Sequence, residues 1–256
     1  FFSYLYEWLL DHLNHLNHHL KNKDHPSVLE PSYGDGRFIS AVYQRFGRFF
    51  APRDVHGTDV KTEACQQTRM RLAEILHTNN ASYNTQAFCN ITKQDGLCYT
   101  VEELTSKKEK HDLIVGNPPY MRLCEFRPDF DADSAAEMTP DRLRKEGELR
   151  RHLIETTKYA LISLTSEPFL RESNGEKLPN VDASMNVAYH FVIQSLYQLK
   201  KEGTIAMVVP ATIWTNDNCE HLRKYMKNCC TIVAVRSFLV GLEGCFCHHR
   251  ICVDQK

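Results

Sequence analysis

No run of apolar residues in this chain is long enough to span a bilayer, and its opening residues carry no secretory signal. Neither a membrane span nor export is therefore expected. Charge of one sign is also missing. The 31 Lys and Arg residues are balanced by 32 Asp and Glu, and a net charge of -1 provides no strong basic field for nucleic acid. That argues against a self-sufficient nucleic-acid binder, although a local basic groove fits within a neutral total. Internal repeats and low-complexity tracts are absent too, which excludes a solenoid or a linker array. The ten cysteines lack the spacing of a small disulfide scaffold, so reduced thiols in a cytosol or nucleus are expected. With 256 residues, 42% of them hydrophobic and 25% charged, the chain can bury a core without disulfides or metals. It opens on Phe1-Phe2 and ends after a predicted strand, which reads as one domain of something longer.

Residues 3–22 carry Leu9, Leu13, Leu16 and Leu20 at helical spacing, with His12, His15 and His19 on a solvated face beside them. Short apolar runs then alternate with helical stretches. Strands are predicted at 27–29, 54–57, 87–92, 112–115, 204–209, 230–235 and 250–253. Helices are predicted from Gly36 or Arg37, over 62–77 and over 186–200. Alternation of this kind gives a mainly parallel seven-stranded sheet with helices on both faces, which binds ligands beyond the carboxyl ends of its strands. The stretch 121–185 breaks the rhythm. It is polar, punctuated by Pro128, Pro140, Pro168 and Pro179, and carries a helical period of Leu143, Leu149, Leu153 and Leu161 over 139–164. An insertion at that edge is expected to be functional or mobile.

Four segments carry chemistry. Glu30-Pro31-Ser32-Tyr33-Gly34-Asp35-Gly36 places an acid at a strand end and a glycine turn before a helix, where backbone can approach a ligand closely. The Gly-x-x-Gly spacing of a nicotinamide site is missing, which lowers a dehydrogenase reading. Asp59 ends the next strand, where a carboxylate reaches ribose hydroxyls or merely caps a helix. Asp95-Gly96 follows the third strand as an adenine contact or a plain turn. Asn117-Pro118-Pro119-Tyr120 then ends a buried strand. Its prolines remove two amide donors, and the Asn117 amide oxygen joins the free carbonyls as an acceptor. Two convergent acceptors suit an amine that donates two hydrogen bonds while its lone pair points elsewhere. Tyr120 offers a flat face for a planar substrate.

Together these segments resemble the amino-methyltransferases that make N6-methyladenine in DNA, most of all the Taq-type and fused restriction-modification enzymes. The likeness rests on Glu30 to Phe38, on Asn117 to Glu125, and on Asn186 to Trp214 with its Val-Pro-x-x-Trp ending. It covers roughly residues 24–256. It implies a Rossmann-like α/β fold dependent on S-adenosyl-L-methionine, with Glu30, Pro31, Ser32, Gly34 and Gly36 around the methionine part. Asp59 would bind ribose, and Asp95 with Gly96 the adenine. Asn117 and the Pro118 carbonyl would accept from the target amine beside Pro119, and Tyr120 would stack on a base flipped out of duplex DNA. Phe246, or Phe238, would close the far side of that base. Residues 1–256 would form one catalytic domain, with 1–23 as an N-terminal helix and 121–185 as the insertion. No target-recognition domain is evident, so a specificity domain or subunit outside the chain is expected. The resemblance implies a cytoplasmic, nucleoid-associated protein in a prokaryote or a nuclear one in a eukaryote.

Rival readings stay open. RNA adenine or guanine methylases and protein-glutamine methylases also use Asn-Pro-Pro-(Tyr/Phe), and a non-catalytic interaction module could retain the fold. Cys245, Cys247, His248, His249 and Cys252 lack the two separated ligand pairs of ordinary zinc modules, so no metal is expected.

Overall fold

The structure, a computed structural model, describes residues 20–78, 84–107, 109–127, 139–165, 181–240 and 246–255. At residues 165, 229, 234, 236–240 and 246–255 it describes the backbone alone. The predicted N-terminal helix falls outside this range except at its end, where Leu20 is buried against the sheet. Most of the repeating leucines and all three histidines of that helix lie outside the described residues.

Seven strands form one sheet in the order β3-β2-β1-β4-β5-β7-β6. They are β1 (Val28–Glu30), β2 (Val55–Asp59), β3 (Ile91–Lys93), β4 (His111–Gly116), β5 (Leu199–Pro210), β6 (Cys230–Val240) and β7 (Phe246–Gln255). Parallel pairing runs only through the first five in that order, and β7 inserts antiparallel between β5 and β6. The helices are α1 (Arg37–Phe46), α2 (Thr62–Thr78), α3 (Val101–Ser106), α4 (Pro140–Thr165), α5 (Val187–Gln198) and α6 (Glu220–Cys229).

Successive strand residues face opposite ways, so each buried strand feeds two cores. Val28, Val55, Ile91, Leu113 and Val115 pack under α1 and α2 against Phe38, Ile39, Val42, Phe46 and Leu72. Leu29, Ile114, Ile205 and Met207 pack on the other face against α4, α5 and α6. All six residues of β4 are buried, which explains its unbroken apolar run. α5 is buried on every side except at Tyr197.

Several boundaries differ from the sequence reading for local reasons. Residues 85–87 form a turn of 3-10 helix that the Asn84 side chain caps by accepting from the Gln86 amide, so β3 starts only at Ile91. The helix expected over 186–200 ends at Gln198 because Leu199 already pairs with His111. α3 and α6 were not evident in the pattern. α3 is a single short turn held by a reciprocal capping box between Thr100 and Glu103. Among its described side chains, α6 buries Leu222, Tyr225 and Met226 beneath a charged outer face.

One buried carboxylate ties the amino ends of the central strands together. Asp112 receives Lys23 Nζ at 2.8 Å, Lys200 Nζ at 2.7 Å and the Ser27 amide at 2.9 Å. Burial opposes its ionisation, but these donors prevail and hold it below the usual carboxylate value. Asp112→Asn is expected to lower the unfolding free energy by about 2 kcal/mol at neutral pH, in the range of hydrogen bonds to a charged group. Because the folded value is depressed, the difference between the two proteins is complete above the unfolded value of about 3.9 and vanishes as pH falls through the folded one. Urea titrations of both proteins across that range check it.

Candidate functional site

The glycine turn after β1 is held from three sides. Gly36 adopts a left-handed conformation (φ 73°) at the start of α1, and a Cβ there would lie 2.2 Å from Thr68 Oγ1 of α2. The amide of Gly34 donates to Asp59 Oδ2 at 2.9 Å, and the Lys61 amide donates to Asp59 Oδ1 at 3.0 Å. The acid ending β2 therefore grips the turn after β1. Glu30 points into the protein. It is 1% exposed and accepts the Ile39 amide of α1 at 2.9 Å, where the helix N-terminus favours a carboxylate. Burial nevertheless pushes its pKa well above the ordinary value, aided by Asp35 and Asp59 and opposed by the Ile39 amide.

Pro31 brings the neighbouring strand ends together. Its carbonyl accepts Thr58 Oγ1 at 3.0 Å, and it lies so close to Gly96 that a Cβ there would approach it to 1.8 Å. Beyond β3, Asp95 Oδ1 accepts the Leu97 amide at 3.0 Å and Oδ2 accepts the Tyr99 hydroxyl at 2.5 Å. Burial raises the Asp95 pKa, and these two donors pull it back.

Parallel pairing of Leu29 with Ile114 sets β4 beside β1. Asn117 therefore emerges next to the glycine turn, with the α-carbon of Gly116 facing the Pro31 ring. The Tyr120 hydroxyl donates to Asn117 Oδ1 and also lies 3.1 Å from the Val208 carbonyl of β5. In this state the predicted amine acceptor is occupied by the predicted stacking residue. Pro118 is buried, whereas Asn117, Pro119 and Tyr120 are partly accessible.

The segment after Tyr120 folds back onto the approach to α5. Val187 donates to the Met121 carbonyl and Leu123 to that of Met185, both at 2.9 Å. Leu123 and Phe126 join Leu97, Leu153, Val187 and Phe191 in a small apolar cluster. Arg150 of α4 donates to the Phe126 carbonyl at 2.6 Å. Parts of the stretch expected to be an insertion are thus packed into the protein, although Leu143 of its helical period is 48% exposed.

The motif residues Glu30 to Gly36, Asp59, Asp95, Gly96 and Asn117 to Tyr120 thus share the carboxyl edge of the sheet. Phe246 and Phe238 sit on the backbone of β7 and β6, paired with Val240 and His248, and their side chains lie outside the described residues. The side chains of Cys247, His248, His249 and Cys252 likewise lie outside the described residues, as does the whole of Cys245. Among the described residues, no group of three or more His, Cys, Asp and Glu side chains could hold a metal ion. Tyr99, Arg150, Thr156 and Gln194 were not anticipated, and only Tyr99 had a local cue, four residues beyond Asp95.

No family model matches the chain. Over 118 residues it is 31% identical to the type II methyltransferase M.BstVI of Geobacillus stearothermophilus, covering 40% of this chain and 21% of that protein. A second stretch of similarity, 32% over 96 residues, is to the type II methyltransferase M.BanIII of Aneurinibacillus aneurinilyticus and covers 37% and 16%. Both of these relatives are type II methyltransferases by name. It spans about a fifth of the length of the curated relatives it matches. Among solved structures, the type IIG restriction endonuclease BpuSI superposes with a TM-score of 0.57 at 13% identity, over 97% of this chain and 24% of that one. A Listeria monocytogenes protein assigned to the class I S-adenosylmethionine-dependent methyltransferases gives 0.51 at 13% identity, over 99% and 59%. These likenesses establish the fold, and S-adenosyl-L-methionine is the cofactor that the class name of the Listeria protein carries.

The residues present fit that cofactor. Ser32 Oγ is buried at the glycine turn without a hydrogen-bond partner. Asp59 and Asp95 retain acceptor capacity beyond the bonds described, since each carboxylate oxygen offers two lone pairs. A separate cavity of about 450 Å³ runs beneath Pro31, Thr58, Gln94 and Gly96 towards His56 and His111, and none of Asn117 to Tyr120 lines it. Among the described residues, no helix is long and apolar enough to cross a membrane. Gly96→Ala would force apart the loops after β1 and β3, because the obstructing atom is backbone. A stability loss of about 1–3 kcal/mol, the usual cost of overpacking, is expected with weakened cofactor binding. Thermal unfolding and calorimetry with S-adenosylmethionine measure both.

Proposed function

We propose that the chain is the catalytic part of an S-adenosylmethionine-dependent DNA methyltransferase that modifies the exocyclic amino group of adenine. The observation that carries this reading is the exit of Asn117 from β4 directly beside the Pro31 turn, with its side-chain oxygen accepting a hydrogen bond from Tyr120. That oxygen and the Pro118 carbonyl form a pair of acceptors for the two N–H groups of an amine. Accepting both protons leaves the nitrogen lone pair free and stabilises positive charge that develops on nitrogen. When bound, S-adenosyl-L-methionine supplies an electrophilic methyl group. The protein contributes placement, holding Asp59 and Asp95 on one side and Asn117 on the other within a rigid strand edge.

Engagement of the base requires Tyr120 to release Asn117. The Tyr120 ring then becomes available to stack on the flipped base, and Phe246 is proposed for its opposite face. Glu30, through the Ile39 amide, shapes the turn that would surround the methionine part of the cofactor. DNA is the proposed partner, and the type II methyltransferase names of the two curated relatives favour it over RNA or protein. Residues 1–256 are proposed to act as a single catalytic unit. Sequence specificity would come from a domain or subunit outside these residues, or from the segment 121–185. The proposed location is the cytoplasm, at the nucleoid, in a prokaryote and the nucleus in a eukaryote.

Asn117→Ala should abolish transfer of tritiated methyl to DNA, by at least about a hundredfold as for loss of an oxyanion-type contact. Its cofactor affinity should stay within about threefold, less than the loss of one hydrogen bond would cause. Retained transfer in Asn117→Ala would overturn the catalytic assignment. Parallel assays on plasmid DNA, tRNA and a release factor identify the substrate, and transfer only to one of the last two would overturn the DNA reading.

A further inference from the structure

The loop carrying Asp95 owes its shape to residues far from the cofactor motifs. The Tyr99 hydroxyl donates to Asp95 Oδ2 at 2.5 Å. The Tyr99 amide donates to Glu103 Oε2 at 2.7 Å, and its carbonyl accepts Thr156 Oγ1 of α4 at 2.8 Å. One residue earlier, Gln194 of α5 engages both backbone groups of Cys98. Its Oε1 accepts the amide at 2.8 Å and its Nε2 donates to the carbonyl at 3.0 Å. Leu97 is buried against Leu153 and Phe191 in the cluster that also holds Leu123 and Phe126.

α4 therefore grips two loops at once. Thr156 holds the Asp95 loop, and Arg150, six residues earlier, holds the segment after Tyr120. Six residues span about 9 Å of helix, so one rigid rod sets the spacing between these two attachments.

We propose that Tyr99 is a positioning residue for the cofactor: its hydroxyl orients the Asp95 carboxylate towards the adenine amino group, and Thr156 on α4 holds Tyr99 in place. The proposal rests on the reading of Asp95 as the acceptor for that amino group. A carboxylate at a strand end rotates about two torsions. With Oδ1 held by the Leu97 amide and Oδ2 by Tyr99, it presents its remaining lone pairs in one direction. Burial, together with Asp95 and Glu103, pushes the Tyr99 phenol far above its ordinary value, so it remains a donor throughout the working range. Four groups act on the Asp95 charge besides its burial. The Tyr99 hydroxyl, the Leu97 amide and Lys107 favour the ionised form, and Asp59 opposes it. Removing the Tyr99 hydroxyl therefore shifts Asp95 towards protonation at higher pH.

The test is calorimetric binding of S-adenosylhomocysteine and S-inosylhomocysteine to the full chain. The inosine compound replaces the amino donor by a carbonyl that a carboxylate repels. The wild-type protein should prefer the adenosine compound, and Asp95→Asn should lose that preference. Tyr99→Phe should reduce the preference about tenfold, the equivalent of one hydrogen bond to a charged group, with affinity for the inosine compound little changed. Its loss of adenosine-compound binding on acidification should begin at higher pH than in the wild type. Thr156→Val should move the preference in the same direction and serves if Tyr99→Phe does not fold. Equal weakening of both ligands in Tyr99→Phe would show a merely structural role and overturn the proposal. So would an unchanged preference in Tyr99→Phe alongside its loss in Asp95→Asn. If the wild-type protein and Asp95→Asn fail to discriminate between the two ligands, the underlying reading of Asp95 fails, and the proposal with it.

Discussion

The carboxyl edge of the sheet is organised around the backbone of Pro31. Its carbonyl accepts from Thr58 at the end of β2, touches Gly96 beyond β3, and its ring faces Gly116 at the end of β4. Four consecutive parallel strands therefore deliver their functional residues to one small volume, with no side chain at Gly96 to keep them apart. The proline ring contributes as well. With φ restrained by its ring, Pro31 has less backbone freedom to lose when it is fixed at this junction. The placement of Asp59, Asp95 and Asn117 relative to one another follows from this contact.

Much of this edge was legible in the sequence because each strand ends in a local signal. Glu30 with its glycines, Asp59, Asp95-Gly96 and Asn117-Pro118-Pro119-Tyr120 can each be placed from neighbouring residues, and alternation of strands with helices orders them. The contacts between them could not be read in this way. Gln194 and Cys98 are 96 positions apart, and nothing near either residue marks the pairing. Thr156 and Tyr99 are separated by 57 positions. The inward turn of Glu30 was equally hidden, because an acid at a strand end looks the same whether it faces a ligand or the N-terminus of its own helix. α3 was missed because six residues are too few to establish a period, and its stability comes from a capping box rather than an apolar stripe.

The edge is supported in two ways. Around the glycine turn, hydrogen bonds run between neighbouring loops, as with Gly34 and Asp59 or Thr58 and Pro31. The segment after Tyr120 and the Asp95 loop are held instead by α4 and α5, elements that come later in the chain. The shared cluster of Leu97, Leu123, Phe126, Leu153, Val187 and Phe191 joins the Asp95 loop to the segment after Tyr120 through close packing.

α5 has almost no face left for water, and two of its polar side chains reach partners inside the protein, His190 Nδ1 to Thr157 at 2.8 Å and Gln194 to Cys98, while His190 Nε2 is buried without one. A helix of that kind gains little by forming alone, since its solubility depends on partners that surround it. Its docking must wait for α4 as well as for the sheet. α4, within the polar excursion after Tyr120, is then part of what covers α5. Shortening that excursion past Pro140 would leave an apolar cylinder bare, and the expected result is aggregation during synthesis.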